Sequence, residues 1–336
     1  MRKYIIIALS LVVAFGQLSA TTKSGTSAAQ FLKIGTQART MGMGEAVVAN
    51  PEGLSALQWN PAGLAKYGTQ TAAFSQSNWL VGTDFFNAAA AINLGRMGTV
   101  GAQLTMLDYG EMPVRTEYKP QGTGEFFVAQ DFNMSIAYAY NLTDRFSIGG
   151  QVKYIQQTIW HMNASTVAFD IGALFTTPFK DIRLGMSIVN FGGYMQLSGR
   201  DVRFYNDPAE DMYGNNDQIP ANYELDSWAL PLTFRVGLSG DIIDRGYLKW
   251  TWAVDALHPS DNTEYVNVGT ELALWKMLYL RTGFRTLFMD ERAGGLTAGL
   301  GMKYMFTSST GIQFDYAFVS YGDLGYVNMF TVGLDF

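Results

Sequence analysis

Phe132-Asn133-Met134-Ser135-Ile136-Ala137-Tyr138-Ala139-Tyr140-Asn141 is the stretch on which the fold turns. Its large apolar residues occupy every second position, and a strand sends alternate side chains to opposite faces, so they share one face. The other face carries Asn, Ser and Ala. A soluble sheet would turn that second face to bulk water and would show abundant Lys and Glu there. Small polar groups with little charge suit a crowded lumen instead, with the apolar face turned outward to lipid.

The same alternation recurs toward the C-terminus. Leu230, Leu232, Phe234, Val236 and Leu238 alternate with Pro231, Thr233, Arg235, Gly237 and Ser239, and Ile312, Phe314, Tyr316 and Phe318 with Gln313, Asp315 and Ala317. Fourteen such segments can be parsed, beginning near Thr69, Asp84, Gly98, Val128, Asp144, Ala164, Asp181, Trp228, Gly246, Thr263, Met277, Gly294, Thr310 and Asp323. The first is the weakest, because residues 71–78 alternate poorly. An even count fits a single-chain bacterial barrel. Short turns at 95–98, 141–144, 177–181, 275–276 and 307–310 interleave with longer links at 109–127, 192–227 and 258–262. Outer-membrane barrels keep short turns at the periplasmic end and long loops outside, which puts both chain ends on the periplasmic side. The fold class is therefore all-β, a 14-stranded antiparallel transmembrane β-barrel over residues 69–336 with an N-terminal plug, or hatch, over residues 21–68.

Arg2 and Lys3, an apolar run over residues 4–15, and the small residues of Leu18-Ser19-Ala20 make residues 1–20 a cleavable signal peptide, with the mature chain starting near Thr21. That run is shorter than the roughly 20 residues a spanning helix requires. The formal charge of -6 disfavours nucleic acid as a partner, since phosphate contacts need cations. Without cysteine there are no disulfides, thiolate nucleophiles or sulfur-ligated metals. The two histidines, His161 and His258, read as exposed loop residues rather than as a metal pair or catalytic bases. No catalytic constellation, metal cluster or phosphate-cradling loop stands out, so no enzyme activity and no cofactor are expected.

Residues 25–68 lack sustained alternation, and about 45 residues cannot fold alone with much core, so they should pack inside the barrel. Short helices are expected near residues 28–33 and 55–65. Within the second, Asn60, Pro61, Ala62, Gly63 and Leu64 form a plug motif: Asn caps a helix start, Pro is tolerated at its first position, and Ala62 and Gly63 are small enough to approach the lumen wall. Gln103, Lys153, Asp170, Arg183, Arg235, Glu271, Lys303, Asp315 and Asp335 fall on lumen faces, where mixed charges are expected to pair with one another. The acidic and tyrosine-rich link at 192–227 reads as a solvated loop, with partner contact as its sharper reading and calcium as a weaker one. The last strand carries Phe330, Val332, Leu334 and the terminal Phe336 on one face, a pattern resembling the insertion signal read by the barrel-assembly machinery.

Gly25-Thr26-Ser27-Ala28-Ala29-Gln30-Phe31-Leu32-Lys33-Ile34-Gly35, then Ala38-Arg39 with Met41-Gly42-Met43-Gly44, then Trp59-Asn60-Pro61-Ala62-Gly63-Leu64-Ala65, resembles the start of the PorV/PorQ family. That family lies within the FadL-like class of fourteen-stranded barrels, whose N-terminal segment also carries an Asn-Pro-Ala-Gly run. The resemblance implies a part in type IX protein secretion: contact with translocon or attachment subunits and with the C-terminal signal domains of exported cargo. The FadL-like class implies a second function, transport of hydrophobic small molecules across the outer membrane. Outer-membrane lipid is a partner on either reading.

Overall fold

The computed structural model describes residues 24–208, 211, 214, 216, 218–289, 292–307 and 309–336. The expected signal peptide lies outside these residues, as do Glu210, Tyr213 and Asp217 of the acidic loop. Fourteen strands form the wall. They are β1 (Thr71–Asn78), β2 (Asp84–Asn93), β3 (Thr99–Pro113), β4 (Phe126–Thr143), β5 (Phe146–Ile159), β6 (Met162–Thr176) and β7 (Arg183–Gly192). The chain continues through β8 (Thr233–Arg245), β9 (Leu248–Pro259), β10 (Tyr265–Leu274), β11 (Leu278–Leu287), β12 (Leu296–Met305), β13 (Gly311–Ser320) and β14 (Tyr326–Asp335). Each pairs antiparallel with its sequence neighbours, and β1 closes the ring on β14 from Thr71↔Asp335 to Asn78↔Asn328.

Alternation sorts the side chains as the sequence requires. In β4, Met134, Ile136, Tyr138 and Tyr140 are exposed on the outer wall, whereas Asn133, Ser135, Ala137 and Ala139 are buried within. All fourteen segments are present, including poorly alternating β1, whose backbone is paired on both edges. One start needs correction: β8 begins at Thr233 and not near Trp228. Pro231 has no N–H for a ladder, and Trp228–Ala229 instead pairs with Tyr194–Met195. Leu230 is accordingly buried inside and does not face lipid. A small hairpin, Arg203–Asn206 with Ile219–Asn222, stands in the same long loop.

The links at residues 94–98, 144–145, 177–182, 246–247, 275–277 and 306–310 lie at one end, and the longer ones, including 114–125 and 193–232, at the other. The latter is the outer end. β3 to β6 are longer than most of the other strands, so one side of the wall rises above the outer rim.

The plug consists of a 3-10 turn at Gln30–Lys33, helix α1 (Ala38–Gly42), a 3-10 turn at Gly53–Ser55 running into helix α2 (Ala56–Trp59), and a 3-10 turn at Pro61–Lys66. The first and last regions match the expected helices; α1 was not foreseen. α1 packs against β12 and β13, and Pro61–Lys66 against β4, β5 and β6, so the segment crosses the lumen from wall to wall. The expected placement of the chain ends holds only for the barrel. Thr71 and Asp335 pair at the periplasmic end, but the plug enters at the outer mouth, where Ala28 N–H donates to the Ala229 carbonyl and Lys33 meets Asp261.

Candidate functional site

The plug is seated on glycine. Gly149 of β5 faces the Pro61-Ala62 peptide so closely that a Cβ there would lie 2.5 Å from the Pro61 carbonyl carbon. Gly269 of β10 meets the Met43 carbonyl, Gly283 of β11 meets Gly44, Gly299 of β12 meets Gly42, Gly172 of β6 meets Asn60, and Gly185 of β7 meets Val48. Each sits where an inward side chain would otherwise fill the lumen, and its absence lets plug backbone, or at Gly172 the Asn60 and Pro61 side chains, touch wall backbone.

Asn60 is more than a helix cap. Its Oδ1 accepts from the Ala62 N–H at 3.2 Å, while its Nδ2 donates to the Val48 carbonyl and to the Ala173 carbonyl of β6, both at 3.0 Å. Pro61 occupies the first position of the 3-10 turn, and Ala62 and Leu64 are fully buried. Gly63 departs from expectation: a Cβ there would strike Pro51 and Ala56, so its smallness serves packing within the plug and not against the wall. Phe330, Val332, Leu334 and Phe336 lie exposed on the lipid face of β14 and just beyond it.

Ion pairs tie plug to wall in the lumen. Arg39 of α1 reaches Glu271 at 3.2 Å, Glu271 also receives Arg281 at 2.6 Å, and Arg281 contacts Asp315 at 2.5 Å. Lys153–Asp170, Lys303–Asp335 and Arg183–Asp241 pair at 2.6, 2.6 and 2.9 Å. Mutual pairing thus accounts for most of the lumen charges, and Gln103 donates to Asn87. Arg235 is the exception: it stacks 4.5 Å over the Trp59 ring and donates to the Gln58 carbonyl, binding plug rather than carboxylate. Asp255, fully buried on β9, accepts the Val48 N–H at 2.8 Å.

The outer mouth is different in kind. A cavity of about 1020 Å³ opens there between the plug's first turn and the raised wall, its apolar lining including Phe31, Ile34, Trp79, Leu107, Phe127 and Tyr321. Lys33, Asp131 and Arg285 bring charge to it. Beside it Asp261, in the β9–β10 link, receives hydrogen bonds from Ser27, Gln30 and Lys33. Burial alone would raise the Asp261 carboxyl, but those three donors and the Lys33 charge hold it below its usual range. His161 contacts Asp201 at 3.2 Å and His258 contacts Glu264 at 2.9 Å, separate pairs at the outer rim.

Residues 17–176 match the family described as Type IX secretion system protein PorV. Over that span the chain resembles the PorV family. The match takes in the plug and β1 to β6. In three dimensions the chain is similar to the toluene transporter TbuX of Ralstonia pickettii, with a TM-score of 0.55 at 14% identity, covering 89% of this chain and 97% of that one. It is also similar to the toluene transporter TodX of Pseudomonas putida, with a TM-score of 0.55 at 12% identity, covering 89% and 96%. Identities this low show the shared FadL-like fold alone. No curated protein matches the chain in sequence.

Two features of this barrel escaped the sequence reading. The glycine seat was present as Gly at lumen-facing positions of successive strands, a signal open to register arguments but hidden by the ordinary abundance of glycine in turns. Asp131, Asp255 and Arg281 were missed because each stands singly within an alternating strand, and nothing local marks it as facing the plug or a cavity.

Proposed function

We propose that this outer-membrane barrel serves type IX secretion by binding exported cargo, or by holding it for attachment, at the cell surface. The observation that carries this reading is the family match through the plug and the first six strands. The plug supports it: a lumen crossed by a segment tied to both walls is no protein conduit, so recognition falls to the outer mouth and its loops. The partners are translocon or attachment subunits and cargo signal domains. Extraction of the tagged protein in mild detergent should bring down a large outer-membrane subunit and cargo signal domains; lipid or fatty acid alone would sink the proposal.

FadL-like transport of hydrophobic small molecules is the second reading, and the apolar outer cavity is what favours it. A deletion strain that loses uptake of hydrophobic compounds while still displaying cargo would establish it over the first.

On either reading, residues 1–20 direct export and are removed, and Phe330, Val332, Leu334 and Phe336 present the chain to the barrel-assembly machinery. Deleting Phe336 should lower the inserted amount while leaving export across the inner membrane intact. Normal surface levels in that mutant would remove the insertion-signal proposal.

A further inference from the structure

We propose that the outer cavity receives a lysine or arginine side chain carried on an apolar peptide segment, and that Asp131 is the group that recognises it. The inference rests on the cargo-binding reading and names the chemistry of the occupant.

Three charged side chains line the cavity, and two are already matched. Lys33 is bound to Asp261 at 2.6 Å. Arg285 pairs with Glu45 at 3.5 Å and stacks over the Tyr321 ring at 4.8 Å. Among the described residues, Asp131, on the lumen face of β4 and only 4% exposed, has neutral donors alone: the Tyr109 hydroxyl at 2.9 Å and Gln157 Nε2 at 2.9 Å. A carboxylate held out of water without a cation is disfavoured unless a partner supplies one. An anionic ligand would have to displace Asp261 or Glu45 from its cation, and would then share the cavity with Asp131. A wholly apolar ligand would leave Asp131 buried and unmatched. A cation satisfies the site, and the neighbouring rings of Phe31, Trp79 and Phe127 add cation–π attraction for the ammonium or guanidinium and apolar contact for flanking residues.

Two further observations point the same way. The cavity, at about 1020 Å³, stands at the upper end of the roughly 300–1,000 Å³ typical of small-molecule sites, and it is open enough to admit a short peptide segment. Val81, on the turn that lines it, has φ 58 and is 96% exposed. A β-branched residue is rarely found in that left-handed region, and here it holds an apolar side chain out at the mouth. Occupancy is also wired to the plug: Gln157, while donating to Asp131, accepts the Ala29 N–H at 3.1 Å at the entry to the plug's first turn.

The test uses the mature protein in lipid nanodiscs and titration calorimetry with acetyl-Phe-Lys-Phe-amide and its norleucine and glutamate counterparts. The lysine peptide should bind at least tenfold more tightly than either. Asp131→Asn should erase that preference, and Tyr109→Phe, which keeps the carboxylate, should retain it. Equal binding of the lysine and norleucine peptides, or a lysine preference that survives Asp131→Asn, would overturn the proposal. Dodecylamine is titrated in parallel; Asp131-dependent binding of the amine without the peptide would overturn the assignment to peptide. In cells, Asp131→Asn should reduce cargo display. Undiminished display beside an intact Asp131-dependent peptide preference would reject cargo as occupant and leave the cation site standing.

Discussion

The centre of the lumen and its outer mouth are built on opposite principles. At the centre, plug and wall meet backbone to backbone over glycines and are crossed by buried ion pairs. Among the described residues, the lumen charges there are matched by one another or, for Arg235, by the Trp59 ring and a plug carbonyl, except Asp255, which takes a plug N–H. At the mouth, the plug's first turn is tied to the wall by the Asp261 carboxylate and, at its entry, by hydrogen bonds from Ala28 to Ala229 and from Ala29 to Gln157, beside an apolar cavity and a carboxylate without a cation among the described residues. A region that is matched throughout has one arrangement and resists change; a region with loose ties and unmatched groups can respond to a partner. The difference teaches that the plug is closed tightly at the centre, while the partner contact proposed above falls to its entry at the mouth.

The comparison is broken most severely at the centre. Glu271→Gln removes the carboxylate shared by Arg39 and Arg281, and uncompensated buried charge of this kind costs roughly 3–5 kcal/mol. We expect an assembled barrel whose plug becomes protease-sensitive and which leaks small ions across planar bilayers; a tight, protected plug would show that the ion pairs do not hold it. Gly149→Val drives a side chain into the Pro61-Ala62 peptide, an overpacking that costs roughly 1–3 kcal/mol. Hydrogen exchange should rise across residues 60–66 and stay unchanged across 27–34, and the reverse pattern would contradict a division between centre and mouth.

Asn60→Ala loses the cap, worth about 1 kcal/mol, together with the bonds to Val48 and Ala173 at about 1 kcal/mol each. Its effect on plug protection should therefore exceed that of Asn60→Ser, which keeps a capping oxygen for the Ala62 N–H, and thermal proteolysis of the two variants would measure the difference. The smallest change is expected at the mouth. Asp261→Asn should speed exchange of residues 27–34 by about tenfold, or ~1.4 kcal/mol, without altering the centre. The sign of the pH effect follows from a carboxyl held below its ordinary value. Its stabilisation is complete above the unfolded pKa of about 3.9 and is lost only as pH falls through the lower folded value. Exchange at 27–34 should thus be flat with pH from neutrality down to about 5, once corrected for intrinsic rates, and rise below about 4. A rise between pH 7 and 5 would mean that another group holds the mouth.

The sequence by itself determined the wall. A period of two needs only neighbouring residues to be read, so strand number, the lipid face of β4 and the aromatic face ending at Phe336 were legible without any partner in view, and the Asn60-Pro61 start of the last plug turn was legible from its local chemistry. Tertiary structure alone decided what the wall holds. β1 exists because two neighbours pair with it, and β8 starts late because Trp228–Ala229 is taken by Tyr194–Met195. Gly149 and Gly269 are seats only because the plug backbone arrives there, and Asp131 is a candidate site only because a cavity opens before it. Alternation is a property of the chain, whereas the partner of an inward-facing residue is set by strand register and by a plug that crosses the lumen, contacts whose sequence separations leave no local mark.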